Sequence, residues 1–302
     1  MSRPSKRRIK CRNCKKQIIT NNPLRVWCDD KCRKQFGKKN SSFKKEVAQM
    51  KIYVVLPDIH HPYQDKPSVN AVFQFLGDYG KMLNGLILLG DQMDMDAVSH
   101  WNEGKQRLME GKRIKTSYEQ FDADILTPIE SYLGAKCKER IYFIGNHEDW
   151  IEQALDKFPQ FEGLAEIPTN LHLEARGWKV IALNGNYQLG KLTLCHGLYT
   201  NIYHAKKTLE VYGRSVLYGH THDIQEHTKV TPLDITDVHK GKSIGCLCNT
   251  NPQYGKNRPN KWAHAFSIVY VFPGGQFNEY TINIVKGRFV WNGKIYGQEV
   301  GK

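Results

Sequence analysis

From residue 51 onward the chain alternates short apolar runs with polar or charged stops. Residues 51–56 end before Asp58, 86–89 before Gly90 and Asp91, and 141–144 before Gly145, Asn146 and His147. Residues 192–195 end at His196, and 215–218 end before Gly219 and His220. Short runs rich in Ile, Leu, Val and Tyr predict buried strands. Residues 68–79, 114–132 and 203–211 carry helix-like patterns between them. Strand–helix alternation predicts an α/β domain with its chemistry at the carboxyl ends of the strands. From Ala265 the pattern changes to antiparallel hairpins. Residues 267–272 and 279–285 flank a turn at Pro273, Gly274 and Gly275, and a second turn lies at Asn292 and Gly293. No internal repeat is visible.

Residues 1–50 follow another logic. They hold 16 Lys/Arg against three acids, a net +13, whereas the whole 302-residue chain carries +14. Two differently charged modules are therefore joined near residue 50. Four of the eight cysteines fall in the first module, as Cys11-x2-Cys14 and Cys28-x3-Cys32 with 13 residues between the pairs. Paired cysteines across a short loop match a four-thiolate structural zinc site. A segment this short needs such a staple to fold. Asp29 and Asp30, followed by Lys31, Cys32 and Arg33, predict a helix starting just after Cys28. The order resembles that of a treble-clef or ribbon-type finger over residues 1–36. Gly37 to Ser42 are polar and Gly/Ser-containing, so residues 37–50 read as a linker and 51–302 as the main domain.

Composition narrows the class further. Hydrophobic residues at 40% and charged residues at 25% suit an ordinary globular protein. A membrane span is excluded by the lack of any run of about 18 apolar residues. No apolar segment follows the basic N-terminus, which argues against a secretory signal. With cysteines that do not suggest a disulfide scaffold, this points to a reducing cytoplasmic setting. Cys137, Cys195, Cys246 and Cys248 lack metal-site spacing and read as small buried residues.

The polar stops form an ordered set: Asp58-x-His60, Gly90-Asp91-x-x-Asp94, Gly145 to Glu148, His196-Gly197, and Gly219-His220-Thr221-His222. This is an inventory of hard oxygen and imidazole ligands, suited to two divalent ions bridged by one carboxylate. Any one of these motifs is weak alone. Five in order, each after a predicted strand, are strong.

The set resembles the calcineurin-like metallophosphoesterases, whose motif series is DxH, GDxxD, GNH[E/D], H and GHxH, over roughly residues 51–250. The resemblance implies a pair of stacked mixed β-sheets flanked by helices, with a two-metal site at the sheet ends. It assigns Asp58, His60 and His222 to the first metal, Asn146, His196 and His220 to the second, and Asp91 to both. It also implies that His147 contacts the scissile phosphate and assists the leaving oxygen, with Asp94 orienting it. Four imidazoles among the ligands favour manganese, iron or zinc over magnesium.

The expected activity is metal-dependent phosphoester hydrolysis, with nucleic acid as the leading substrate because of the basic finger in residues 1–50. The alternatives are a small-molecule or protein phosphatase whose finger is a docking element, and a non-catalytic nucleic-acid adapter. A finger fused to such a domain suits a viral or mobile-element protein. Lesser candidates remain open. His61 reads as a site residue or a turn histidine, and the stretch from His100 and Trp101 through Lys105, Arg107, Lys112, Arg113 and Lys115 as a cap on the site or a solvated face. Tyr254, Trp262 and His264 read as base-stacking or packing residues. His172, His204, His227 and His239 match no motif and read as structural or surface residues.

Overall fold

The computed structural model describes residues 7–20, 26–252 and 257–297. Arg3, Lys6 and Tyr254 lie outside the described residues. Contacts divide the chain into two units, 1–50 and 51–302.

In the first unit, β1 (Arg7–Lys10) and β2 (Gln17–Thr20) form an antiparallel hairpin pairing Arg7 with Thr20 and Lys10 with Gln17. Helix α1 (Asp30–Gln49) follows, and the Asp29 carboxylate caps it by accepting the Cys32 N–H at 2.7 Å. Its start agrees with the sequence reading, but its end does not. Residues 37–49, expected to be a linker, continue the same helix. The reason lies in the composition. A single Gly costs a helix only about 1 kcal/mol relative to Ala. Beyond it, Lys44, Lys45, Glu46 and Ala48 are strong helix formers, and a polar helix and a polar linker look alike by content. The unit's apolar core is small: Cys11, Ile18 and Cys32, with Ile9, Trp27 and Cys28 against them.

In the second unit, β3 (Lys51–Leu56), β4 (Gly85–Leu88), β5 (Glu139–Phe143) and β6 (Trp178–Ile181) lie parallel and adjacent. A second sheet takes β7 (Tyr187–Leu189), β8 (Leu192–Leu194), β9 (Val216–Tyr218), β10 (Ile224–Thr231) and β11 (Asp234–Ile244), in the order β10-β11-β9-β8-β7. The expected C-terminal hairpin is present. β12 (Ala265–Val271) and β13 (Phe277–Asn283) join the first sheet antiparallel beside β3, giving β13-β12-β3-β4-β5-β6. β14 (Phe289–Trp291) and β15 (Lys294–Tyr296) form the last hairpin. Both sheets are thus mixed.

The residue alternation of β3 shows how the layers meet. Tyr53 and Val55 join one buried cluster with Ile87, Ile141 and Phe143 of their own sheet and Leu192, Leu194, Leu217 and Ile244 of the other. Val54 and Leu56 face the opposite way, into a cluster with Val72, Phe75 and Leu76 of α2 (Lys66–Tyr79). A strand covered on both faces must be apolar at nearly every position, as this one is.

The expected helix over 114–132 is continuous but not uniform. It runs as an α-helix (Ile114–Phe121), a wide π turn (Asp122–Leu126) and a second α-helix (Thr127–Tyr132). Pro128 has no N–H to give the carbonyl four residues back, and the wider turn relieves that mismatch. No helix among the described residues is long and apolar enough to cross a membrane.

Candidate metal centre

Because β3, β4 and β5 are parallel in one sheet, and β8 and β9 are parallel in the other, the loops after these strands emerge on common edges. The loops after β3 and β4 stay bonded to each other. Asp58 N–H donates to Gly90 O at 3.3 Å, His60 N–H to Asp91 O at 2.9 Å, and His61 N–H to Gln92 O at 2.9 Å. Five of the motif residues adopt left-handed backbone: Asp58 (φ 43°), His60 (50°), Asp91 (50°), His220 (67°) and His222 (60°). Each costs roughly 1–2 kcal/mol relative to an ordinary conformation. Two glycines allow the carboxylates to come close. A Cβ on Gly145 would stand 2.2 Å from Asp91 Oδ1, and one on Gly219 would stand 2.1 Å from Asp58 Oδ2.

These loops bring the predicted ligands into two groups that share Asp91. One contains Asp58, His60, Asp91 and His222, the other Asp91, His196 and His220. In the first, His60 Nε2 lies 3.1 Å from His222 Nε2 and 3.6 Å from Asp91 Oδ2, and His222 Nε2 is 3.3 Å from Asp58 Oδ1. In the second, His196 Nε2 lies 3.2 Å from Asp91 Oδ2 and 3.1 Å from Asn146 Oδ1. Asn146 Oδ1 is also 2.8 Å from His220 Nδ1. All seven residues assigned to metal from the sequence therefore converge.

The donor set fits cations. His196 Nδ1 bonds the Leu89 carbonyl at 2.9 Å, so in a neutral ring the Nε2 lone pair faces two oxygen acceptors. Three acceptors pointing at one another need a proton or a metal ion between them. Without an ion the proton wins: burial opposes it, but Asp91 outweighs burial and pushes His196 up to about 10. Burial and the adjacent His196 push His220 down to about 4. Separations near 3 Å are also about the edge of a coordination polyhedron with bonds of about 2.1 Å.

Asp94 and His147 adjoin this cluster. Asp94 Oδ2 lies 3.4 Å from His60 Nδ1 and 3.3 Å from His147 Nδ1. The His147 N–H donates to Asp91 Oδ1 at 2.9 Å, and its ring packs on Trp150 at 4.1 Å between centroids. Burial opposes a proton on His147, but Asp91 and Asp94 lift it to about 9.

Sequence reasoning assigned no role to Glu148, although it quoted the motif that contains it. Its buried carboxylate accepts the N–H groups of Asp91 (2.8 Å), Gln92 (2.6 Å), Met93 (3.1 Å) and Gly145 (2.9 Å), and the Tyr142 hydroxyl at 3.2 Å. It therefore fixes the backbone that carries Asp91. The signal was its place beside Asn146 and His147; the role needed the three-dimensional packing. Two more neighbours were not assigned to the ligands. Trp262 stands edge-on to His222 at 4.2 Å between centroids, and Cys248 Sγ lies 3.7 Å from His222 Nδ1.

The open candidates separate. His61 is buried, 3.1 Å from Asp124 Oδ2 on the π turn, and belongs to neither ligand group. Lys112 bonds Tyr63 and Asp96, while Lys105, Arg107 and Lys115 are exposed. His264 Nε2 bonds the Cys248 carbonyl at 2.8 Å. His204 is buried between Tyr218 and Asp223, and His172 is exposed. Cys137, Cys195, Cys246 and Cys248 are all buried.

In the N-terminal unit, Cys11, Cys14, Cys28 and Cys32 form a separate group whose sulfurs lie within 4.8 Å of one another, with Cys14 and Cys28 at 3.6 Å. A tetrahedron of Zn–S bonds of about 2.3 Å has an edge of about 3.8 Å, so a zinc ion suits the cluster.

No family model matches the chain. It is similar to the Gene 54 protein of Mycobacterium phage D29, 26% identical over 263 residues, covering 80% of this chain and 97% of that protein. The Gene 54 protein of Mycobacterium phage L5 is 24% identical over 260 residues, with the same coverage. Both relatives come from bacteriophages, which accords with the expectation of a viral or mobile-element chain.

Proposed function

We propose that this chain is a two-metal-dependent phosphoesterase of the calcineurin-like type that hydrolyses phosphodiester bonds in nucleic acid, with the basic four-cysteine module as its tether. The observation that carries the reading is the pair of ligand groups sharing Asp91. Two mixed sheets with one apolar layer between them, and the site at their edge, suit that family's sandwich.

Asp58, His60 and His222 would hold one cation, Asn146, His196 and His220 the other, with Asp91 between them. Paired divalent cations supply the charge that neutralises phosphate oxygens and acidifies an attacking water. The protein's own residues do the rest. Asp94 faces Nδ1 of His147, which leaves Nε2 to hold a proton for the departing oxygen. Trp150 limits the swing of that ring. Glu148 keeps the Asp91 backbone fixed while its side chain serves both groups. The net +13 of residues 1–50 supports a polyanionic substrate.

The test is hydrolysis of bis(p-nitrophenyl) phosphate, p-nitrophenyl phosphate, DNA and RNA with manganese, beside metal analysis. The wild type should bind two ions in residues 51–302 and prefer diesters. Asp91→Ala should lose both ions and all turnover while keeping its circular dichroism. Unchanged metal stoichiometry in that variant overturns the bridging role. A wild type that turns over no phosphoester leaves the adapter reading, and strong preference for monoesters leaves the phosphatase reading.

A further inference from the structure

A ring nitrogen offers its lone pair to a cation only while the ring's proton sits on the other nitrogen. Whatever bonds that second nitrogen therefore sets the ligand. Three histidines of the ligand groups turn Nε2 inward. His196 Nδ1 has the Leu89 carbonyl at 2.9 Å, and His60 Nδ1 has Asp94 Oδ2 at 3.4 Å, both oxygen acceptors. His222 differs. Its Nε2 lies 3.1 Å from His60 Nε2 and 3.3 Å from Asp58 Oδ1, while its Nδ1 faces Cys248 Sγ at 3.7 Å.

Backbone bonds hold the sulfur in place. Leu247 N–H donates to the Asp58 carbonyl at 3.0 Å, and Asn249 N–H donates to the Tyr63 carbonyl at 2.7 Å. The residues on both sides of Cys248 are thus tied to the loop that carries Asp58 and His60. The Cys248 carbonyl itself accepts His264 Nε2–H at 2.8 Å. Cys248 is 3% exposed and His222 6%, which leaves little room for water to take the sulfur's place. Trp262, edge-on to the His222 ring at 4.2 Å, limits its rotation.

We propose that Cys248 is the positioning residue of His222: its sulfur accepts the Nδ1–H, fixing the tautomer that leaves the Nε2 lone pair for the cation held with Asp58 and His60. The inference rests on the two-cation reading and deepens it. Packing and hydrogen bonding make opposite demands at this position. If Cys248 only fills space, alanine is the milder replacement and serine the harsher, because serine buries an extra polar group. If the sulfur accepts a proton, the order inverts, since serine keeps an acceptor and alanine has none.

The experiment titrates manganese into the full-length protein after dialysis against a mild chelator, comparing wild type, Cys248→Ser and Cys248→Ala by calorimetry. Thermal melting of each is followed by circular dichroism. Four thiolates disfavour manganese, so the ion reports on the histidine–carboxylate groups. The wild type should bind two ions. Cys248→Ala should weaken one binding step by about ten- to hundredfold, the usual cost of losing such a partner, and leave the other within about twofold. Cys248→Ser should recover most of the loss. Asp58→Ala should abolish the same step, which identifies it as the one that uses His222. If the alanine variant does not fold, Cys248→Val, which keeps apolar bulk but has no acceptor, takes its place. Equal affinities in wild type and the alanine or valine variant overturn the role, as does serine being the harsher change. A second titration uses cobalt. A sulfur-to-metal charge-transfer band that disappears in Cys248→Ser makes the thiol a direct ligand and also overturns the role. A wild type that binds no manganese ends the two-cation reading, and this role with it. Two ions bound equally well across the variants end this role alone.

Discussion

Asp91 divides its two carboxylate oxygens between tasks. Oδ2 faces His196 and His60, while Oδ1 accepts the His147 N–H. Burial would raise its carboxyl pKa, but the His196 and His147 rings outweigh burial and hold it well below the usual range. The neighbouring His147 can therefore be tested apart from the metal ligands. His147→Asn should leave metal content intact and lower turnover by about two to four powers of ten, the span of acid–base assistance. The loss should shrink for esters with good leaving groups, which need no proton; equal losses across a leaving-group series would refute that role. Gly219 offers a test that removes no ligand. Its missing Cβ leaves room for Asp58 Oδ2, whose carboxylate accepts the His220 N–H. Gly219→Ala should displace that carboxylate, lowering metal occupancy on the Asp58 side while Asp91, His196 and His220 keep theirs. Metal analysis showing full occupancy would contradict this.

The strands and their terminal residues could be read from the chain because a buried parallel strand is an unbroken apolar run and its end is a sharp polar stop. Residues 51–56 and Asp58 show this directly. The later part of helix α1, residues 37–49, could not be distinguished from a linker, since Lys, Asn and Ser occur in both, whereas the acids at its start marked where it begins. Glu148 escaped notice for a different reason: four of its partners are backbone N–H groups brought together by the fold, and backbone carries no sequence signature. Glu139 is a similar case. On β5 it meets Lys51 Nζ at 2.7 Å, the Tyr53 hydroxyl at 2.9 Å and, from the other sheet, the Tyr187 hydroxyl at 3.0 Å. Burial would raise its carboxyl pKa, but Lys51, Tyr53 and Tyr187 hold it below the ordinary range. A depressed carboxyl contributes stability above its unfolded pKa and loses it as pH falls through the folded one. Glu139→Gln should therefore melt lower than wild type at about pH 7, with the gap closing below the ordinary carboxylate range. A gap that stays constant into acid would rule out a charge contribution.

The chain separates its net charge from its candidate chemistry. Residues 1–50 carry +13 and the four cysteines, while residues 51–302, with +1, carry both histidine–carboxylate groups. Deleting residues 1–50 should therefore weaken DNA or RNA binding strongly and leave hydrolysis of a small diester nearly unchanged. The full chain's affinity should fall steeply with salt. For roughly 6–10 phosphate contacts the loss is about three to five powers of ten between 50 and 200 mM. Equal binding by the truncated and full chains at matched salt would make the finger a protein-docking element instead. The left-handed residues have a longer reach. Glycine would occupy positions 58, 60, 91, 220 and 222 with less backbone strain than the Asp and His found there. A lineage released from selection on the site would drift toward glycine or asparagine at these five positions, gaining backbone ease as it lost ligands. Their identities in a diverged phage relative thus record whether selection still acts on the site.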